Sequence, residues 1–482
     1  MKLNSLFNNA PDIEIEQLST DSRLPMKNAI FFCLDGIKYD GHNFIDEAIS
    51  NGAKVIIYSK EIANKKGAIY VRVKNVNETL NKIANVFYNN PNDGICKYLI
   101  SGCYGRSSVS EIIKFYLNKV NSCASIGTFG INYKDRHLDI AFPALTPLEN
   151  LKYLDTFKKN HINNVVFETS AISLFYKKFD VVKPDIFVYT TTSKYCSDYK
   201  VCNNSYFDYI RKYMYTLENN TITLLNRDDE SYDQLKDCIE NVRTYGINNT
   251  ADYHIKNVQL QNSCSDFVIE YNNNEYRIKT KLLGIQNVYN ITAAVAALHI
   301  NNNSIEDIIN TLSDLDYIDG VMERIDDKYN VIVDCGFELD SLNLTMQYAK
   351  NVCKGNLIGI IGINYSDSDS TVKSVIETCE KYLDKIILTE DETQQAEVMN
   401  ILSRADKFSK TKKIIHVAYR GIAIENAINL MNSDDTLLIL GKGNEKFLSM
   451  GLGKERYLGD KNYALRYIKK RKEEENETSE IY

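Results

Sequence analysis

One segment limits the possible folds more than any other. Lys97-Tyr98-Leu99-Ile100-Ser101 reads as a short apolar strand, and Gly102-Cys103-Tyr104-Gly105-Arg106-Ser107-Ser108 reads as a glycine-bearing turn. The residues after it form a helix. Val109, Ile112, Ile113, Tyr116, Leu117 and Val120 fall at offsets 0, 3, 4, 7, 8 and 11, the spacing of one buried helical face. A strand that turns through glycines into a one-faced helix belongs to α/β layering.

The turn admits two readings. A phosphate-binding loop needs glycines so that backbone N–H groups can turn inward, and a helix start that adds its dipole. It also needs a lysine for the terminal phosphates and a hydroxyl for magnesium. Gly102, Gly105, the base Arg106 and the hydroxyl of Ser107 meet part of that list, but the lysine is absent. Arginine keeps the charge, yet its planar fork is bulkier than an ammonium. The other reading is a plain strand-to-helix turn with a serine cap, and these residues alone leave both open.

The chain has 482 residues, too many for one core. At roughly 150 residues per domain, about three domains are expected. Ala29–Leu34, Ala53–Tyr58 and Ile69–Val73 read as strands, with helices over 43–51 and 75–89. Asn89-Asn90-Pro91-Asn92-Asp93-Gly94 breaks the pattern, and we place the first boundary there. Later strands are expected at Asn164–Glu168, Ile186–Tyr189 and Thr221–Leu225, followed by an alanine-rich helix over Asn287–Ile300. From about Gly320, the apolar runs 331–334, 357–361, 385–388, 414–417 and 436–440 alternate with helices, a doubly wound pattern with a parallel sheet. The expected domains are therefore 1–92, 93–318 and 319–482. The charged tail from Lys469 is expected to fray or be disordered.

Composition excludes several classes. With 57 basic and 64 acidic residues, the net charge of −7 gives no global reason to seek nucleic acid or an anionic membrane. No apolar run approaches a bilayer span, and the first residues do not read as a signal peptide. Eleven irregularly spaced cysteines read as reduced thiols, and the six histidines form no local zinc motif. The expected location is the cytoplasm.

The order of motifs resembles the Mur ligase family, and within it the UDP-N-acetylmuramoyl-tripeptide synthetases. Asp21-Ser22-Arg23 and Asp40-Gly41-His42-Asn43-Phe44 are similar to the uridine-nucleotide segments. The turn at 102–108 stands where the family has the ATP loop Gly-Thr-Asn-Gly-Lys-Thr-Thr. Leu145-Thr146-Pro147 resembles the Thr-Thr-Pro substrate segment, and Glu168-Thr169-Ser170 the metal-binding Glu-Val-Ser. Gly284 to Asn290 is similar to the hinge helix whose second asparagine, here Asn290, contacts the nucleotide base. Met322-Glu323-Arg324, Val331 to Asp334, Asp340-Ser341-Leu342 and Gly441-Lys442-Gly443-Asn444-Glu445 continue the match. The resemblance implies an α/β fold of three domains, with a P-loop-like central domain and a Rossmann-like C-terminal one. It implies that ATP and magnesium activate a substrate carboxylate as an acyl phosphate, which an amino acid then attacks.

The departures lie in that chemistry. Against the family's pattern, the loop lysine is Arg106 and the Thr-Asn before it is Cys103-Tyr104. The metal-side histidine is Ile172, the carbamylated lysine is Ile210, and the Gly-Arg-Met-Glu arginine is Val321. Thr190-Thr191-Thr192 replaces Thr-Asn-Leu, Tyr195-Cys196-Ser197-Asp198 replaces Asp-His-Leu-Asp, and Cys335-Gly336-Phe337 replaces Tyr-Ala-His. The amino-acid-selecting Asp-Asn-Pro-Arg reads Asp391-Glu392-Thr393-Gln394. Losing one preorganised donor at a transition state costs about 3–4 kcal/mol. The expected catalytic set shrinks to Arg106 and Glu168, and the metal set to Ser107 and Glu168. Asp198, Arg211, Lys212 and Asp334 are the remaining groups that could rebuild it. The expectation is a divergent synthetase homologue with little or no ligase activity, requiring Mg and ATP only if active. Its expected ligand is a UDP-linked muramoyl peptide, held by Asp21, Ser22, Arg23, Asp40, Gly41, His42, Thr146 and Pro147. The rival readings are a working acid–amino-acid ligase and a scaffold for a cell-wall protein.

Overall fold

A computed structural model describes residues 1–480 other than 9, 36–38, 63–65, 141–144, 196–205, 327, 394–395, 412 and 451–452. Cys196, Ser197, Asp198 and Gln394 therefore lie outside the described residues. The chain packs as two compact units, and the division falls inside the strand Cys96–Ser101.

One unit comprises residues 1–99, 120–185 and 208–221. Gln17–Ser19, Ala29–Phe32, Ala53–Tyr58 and Ile69–Arg72 form a four-stranded parallel sheet in that order. Ala29, Ile30, Phe31 and Phe32 are all buried, which explains their unbroken apolar run. The same unit holds Cys123–Gly127, paired with Asn164–Glu168 on one side and with the meander Gly130–Tyr133 and Arg136–Leu138 on the other. The helix Pro147–Lys159 starts at a capping box between Thr146 and Glu149.

The second unit comprises residues 100–119, 186–207 and 222–482. Ile186–Tyr189, Ile222–Asn226, Val242–Gly246 and Tyr253–Leu260 pair in parallel, and Ser265–Tyr271 and Asn274–Thr280 extend the sheet antiparallel. The last two strands join through Asn272 and Asn273, at φ 49° and 64°, the left-handed pair that a tight hairpin turn demands. The sequence reading missed this hairpin. Its signal was the Asn272-Asn273-Asn274 run between alternating residues.

Six further strands order as Glu323–Arg324, Asn330–Asp334, Thr436–Leu440, Leu357–Ile363, Lys385–Glu390 and Ile414–His416. All neighbouring pairs but the first are parallel. Alternate residues feed two cores. Ile332, Leu438 and Leu440 pack with Leu342, Met346 and Ile376, whereas Val331, Val333, Leu437 and Ile439 pack with Ile424, Ile428, Ala464 and Ile468. Helices cover both faces, so the doubly wound expectation holds. A buried ion pair joins two elements of the second face. Arg420 Nε and a terminal nitrogen each donate to Asp460 at 2.7 Å, and the Tyr457 hydroxyl donates to the same carboxylate at 2.7 Å.

The tail departs from expectation, because a helix runs from Asp460 to Glu480. It lacks an apolar stripe after Ile468, and polar side chains dock it instead. The Arg471 guanidinium donates to the carbonyls of Ile428 and Met431 and lies 4.9 Å from the Tyr329 ring centre. Glu475 accepts from the Tyr329 hydroxyl and Lys328, and Lys472 donates to Asp326. Those hydrogen bonds hold the Glu475 carboxyl down to about pKa 2.

Two tests follow from these contacts. Arg471→Ala removes the groups that anchor the tail, so trypsin should cut within 466–472 several-fold faster, with the melting temperature nearly unchanged. Asp460→Ala leaves an uncompensated buried guanidinium, which typically costs about 3–5 kcal/mol. A marked drop in the urea midpoint is expected for that variant, while an unchanged midpoint would show that the pair contributes little.

Candidate functional site

The glycine turn is shaped by close approaches. Gly102 sits at φ +131°, and a Cβ there would lie 2.2 Å from Thr190 Oγ1 and 2.9 Å from the Thr191 nitrogen. Gly105 sits at φ +83°, and a Cβ there would lie 2.4 Å from the side-chain oxygen of Asn290. Only glycine tolerates both the dihedral and the space. The turn thus brings Gly105 against Asn290, which is far from it in sequence. Arg106 and Ser107 open the helix Arg106–Val120.

Several of the loop's polar groups are engaged with the chain itself. Cys103 N–H donates to the Thr191 carbonyl at 2.7 Å, and Thr190 Oγ1 donates to the Tyr104 carbonyl at 2.7 Å. The Arg106 guanidinium folds back and donates to the Gly102 carbonyl at 2.7 Å. Its fork therefore satisfies the loop that a lysine would leave open. Cys103 Sγ, the Tyr206 hydroxyl, the Tyr189 hydroxyl and Thr192 Oγ1 form a buried chain at 3.3, 2.9 and 3.0 Å. Tyr104 hydrogen-bonds the Thr191 side chain, and burial pushes its phenol up to about pKa 12.

The anchor of this loop was not foreseen. Asp229 accepts from Thr191 Oγ1 at 2.6 Å and from the Thr192 N–H at 2.9 Å. Asp228 accepts the N–H groups of Ile247, Asn248 and Asn249 and the Tyr289 hydroxyl. An Asp-Asp doublet closing an apolar strand was the available signal. Asn290 is 7% exposed and donates to Asn287 Oδ1 at 3.2 Å.

In the other unit, Glu168 is 4% exposed and accepts from Thr128 Oγ1 at 2.8 Å. A Cβ at Gly127 would strike its carboxylate at 2.3 Å, so the carboxylate lies directly over that glycine. Ile210 is fully buried in the helix Tyr206–Met214, and Arg211 pairs with Asp208 on the same helix. Phe175 packs tilted at 33° against Tyr209 with ring centres 4.0 Å apart.

The expected substrate residues of the first sheet are satisfied locally. Arg23 forks onto Asp21 at 2.9 and 2.7 Å, and its own N–H caps the same carboxylate. Ser22 Oγ donates to Glu47, and Asn51 donates to the Ser22 carbonyl at 2.7 Å. Asp40 accepts the His42 N–H at 3.0 Å and lies 2.6 Å from His42 Nδ1, while Ser59 N–H donates to Nε2 at 3.1 Å. Both ring nitrogens of His42 are thus engaged by the fold. Gly41 packs against the backbone of Leu34. Lys60 bridges Asp35 and Asp40 at 2.6 Å each, and its ammonium holds the Asp40 carboxyl well below the usual range. Thr146 is bonded into its helix cap, with Pro147 opening the helix.

At the carboxyl ends of the six-stranded sheet, Asp334 accepts from the Met322 N–H at 3.1 Å and Thr345 Oγ1 at 2.9 Å. Burial pushes its carboxyl up. Lys442 is 3% exposed and bridges Asp391 at 2.7 Å and Glu445 at 3.0 Å. Burial opposes the Lys442 charge, yet the two carboxylates hold its pKa above the ordinary lysine value.

Three family models match in order along the chain: the Mur ligase family catalytic domain at 14–88, the Mur ligase middle domain at 100–298, and the Mur ligase glutamate ligase domain at 321–443. The chain is 29% identical over 475 residues to a UDP-N-acetylmuramoyl-L-alanyl-D-glutamate–2,6-diaminopimelate ligase of Fusobacterium nucleatum, covering 96% of each. It is 26% identical over 444 residues to UDP-N-acetylmuramyl-tripeptide synthetase 2 of Oceanobacillus iheyensis, covering 90% of each. A solved structure of a UDP-N-acetylmuramoyl-L-alanyl-D-glutamate–2,6-diaminopimelate ligase superposes with a TM-score of 0.69 at 19% identity, over 98% of this chain and 99% of that one. The MurF ligase from Thermotoga maritima in complex with ADP superposes with a TM-score of 0.65 at 16% identity, over 95% and 98%.

Gly102→Ala tests whether the loop is a structural part regardless of ligand. Its Cβ would meet backbone as well as Thr190, so destabilisation of about 1–3 kcal/mol is expected. The fall in melting temperature should be the same with and without Mg-ATP.

Proposed function

We propose a function from the premise that this chain belongs to the Mur ligase family and has its three-domain fold: it binds a UDP-linked muramoyl peptide and carries little or no ligase activity. We read the domains as 1–92, 93–318 and 319–482. The matched ranges 14–88, 100–298 and 321–443 each fall within one of them and support that division. The soluble, cytoplasmic setting of precursor synthesis is part of the same reading. Among the described residues, no helix is long and apolar enough to cross a membrane.

The observation that carries the reading is the Arg106 side chain on the Gly102 carbonyl. A transferring phosphoryl group needs cations and inward N–H groups aimed at its oxygens. Here the one loop base is turned onto the loop, and the Cys103 N–H is paired with Thr191. Ile210 adds no ligand. Glu168 and Ser107 remain as single oxygen donors in different units, and neither supplies a cation for a transferring phosphoryl group. We therefore derive no phosphoryl-transfer step for this chain.

The peptide-binding half of the reading rests on the motif resemblance at Asp21 to Arg23, Asp40 to His42 and Thr146-Pro147. Arg23 is the most informative position. Its side chain is 79% exposed, and an exposed ion pair of this kind contributes little to stability. Removing it should leave the fold intact and remove one cation for a diphosphate or carboxylate.

Three outcomes are expected. Calorimetry with Mg-ATP should give no micromolar binding. Arg106→Lys alone should not create ATP-dependent phosphate release with any amino acid, because catalytic groups that act as a unit are not restored singly. A UDP-linked muramoyl peptide should raise the melting temperature, since a ligand at a hundredfold excess over Kd adds about 2.7 kcal/mol. Arg23→Ala should shrink that shift and Arg106→Ala should not. Robust turnover by the natural chain would favour the working-ligase reading, and the absence of any shift at millimolar ligand would favour the scaffold.

A further inference from the structure

The helix Leu339–Val352 is tied to the glycine-loop neighbourhood by the chain's own polar groups. In its first turn, Asp340 accepts from Ser193 Oγ at 2.6 Å. Ser193 is 2% exposed and lies just beyond Thr190-Thr191-Thr192, the segment that supports the loop. Its hydroxyl also accepts the Tyr195 N–H at 3.1 Å, and its carbonyl accepts from Cys103 Sγ at 3.5 Å. Ser193 therefore contacts the loop with its backbone and the helix with its side chain.

Two further contacts continue along the same helix. Gln286 donates from its amide to Thr345 Oγ1 at 3.2 Å, and Thr345 in turn donates to the buried Asp334. The Tyr348 hydroxyl donates to the Gln261 carbonyl at 2.6 Å. These pairs join residues 186–300 to the six-stranded sheet through groups that no ligand supplies. The Ser193–Asp340 bond is the one that reaches the loop, and its acceptor is a carboxyl group, the acceptor of the stronger hydrogen bonds.

We propose that Ser193 and Asp340 form a ligand-independent latch that holds the first turn of the helix Leu339–Val352 against the glycine loop. Closure of the loop onto this helix then needs no nucleotide. The latch stands on contacts within the chain and does not rest on the binding of a UDP-linked peptide.

Hydrogen exchange of the full-length protein, read by mass spectrometry over 101–107 and 339–346, tests this. In the natural chain, both segments should be protected equally with and without millimolar Mg-ATP. Ser193→Ala and Asp340→Ala should each speed exchange in both segments roughly tenfold or more, the scale on which losing a charge-assisted bond opens a local structure. Exchange over 357–363 should stay unchanged as the control for folding, and Ser193→Thr, which keeps a hydroxyl, should restore most of the protection. Unchanged exchange in both variants would overturn the latch. So would a natural chain whose two segments become protected only when Mg-ATP is added, an outcome that needs no variant to be read.

Discussion

Two close approaches at the glycine loop govern the rest of the central site. Gly102 lets the chain pass against Thr190 and Thr191, and Gly105 lets it pass against Asn290. Each glycine has positive φ, so the loop's curvature and its packing are one constraint. Once the backbone is that close, Thr190 and Thr191 can take up the Tyr104 carbonyl and the Cys103 N–H. Asp229 then holds Thr191 and Thr192 in place from behind. The loop is thus the meeting point of the helix Arg106–Val120, the end of Ile186–Tyr189 and the helix Ile285–Ile300.

The same logic separates what a sequence displays from what it hides. Buried parallel strands show themselves because both faces must be apolar, as in Val331 to Asp334 and Thr436 to Leu440. The helix after the loop shows itself because its buried face repeats every three to four residues. The tail helix was hidden because Arg471, Lys472 and Glu475 dock it through polar contacts to Ile428, Asp326 and Tyr329. A periodicity of apolar residues cannot register such docking. Of the site, Gly102 and Gly105 were legible as a turn from the residues themselves and Asn290 through family resemblance, and the packing of Gly105 against Asn290 is geometric fact. The pairs Thr191–Asp229 and Ser193–Asp340 were not legible. They join residues 38 and 147 positions apart, and neither the Asp228-Asp229 doublet nor the motif at Asp340 says which partner it meets.

Electrostatics divides the molecule's charged groups into two kinds. Arg420 with Asp460, and Lys442 with Asp391 and Glu445, are enclosed and mutually satisfied. Such groups fix geometry at the carboxyl ends of the six-stranded sheet, where a doubly wound fold places its ligands. Arg23, by contrast, is paired but exposed. A ligand can recruit an exposed cation by exchanging one carboxylate for another, whereas the enclosed pairs would have to be broken first. This is why Arg23 is a more informative probe of binding than His42, whose two ring nitrogens are both engaged by the fold.

The pattern of departures from the family motif follows from which atoms also carry the architecture. The two loop glycines cannot be replaced without driving a Cβ into Thr190 or Asn290, so they are held by packing whatever the chemistry. The loop's lysine has no such duty. Its ammonium serves a phosphate, and a longer base that bonds the Gly102 carbonyl serves the folded loop at least as well. Ile210 obeys the same rule, because an apolar side chain at a fully buried helical position stabilises, whereas a charged one there needs a metal to neutralise it. The groups with packing work to do are kept, and the departures fall where the family pattern carries charge. Gly102, Gly105 and Asn290 are held by the space they share with their neighbours, whereas Arg106 turns onto the loop and Ile210 is buried and apolar.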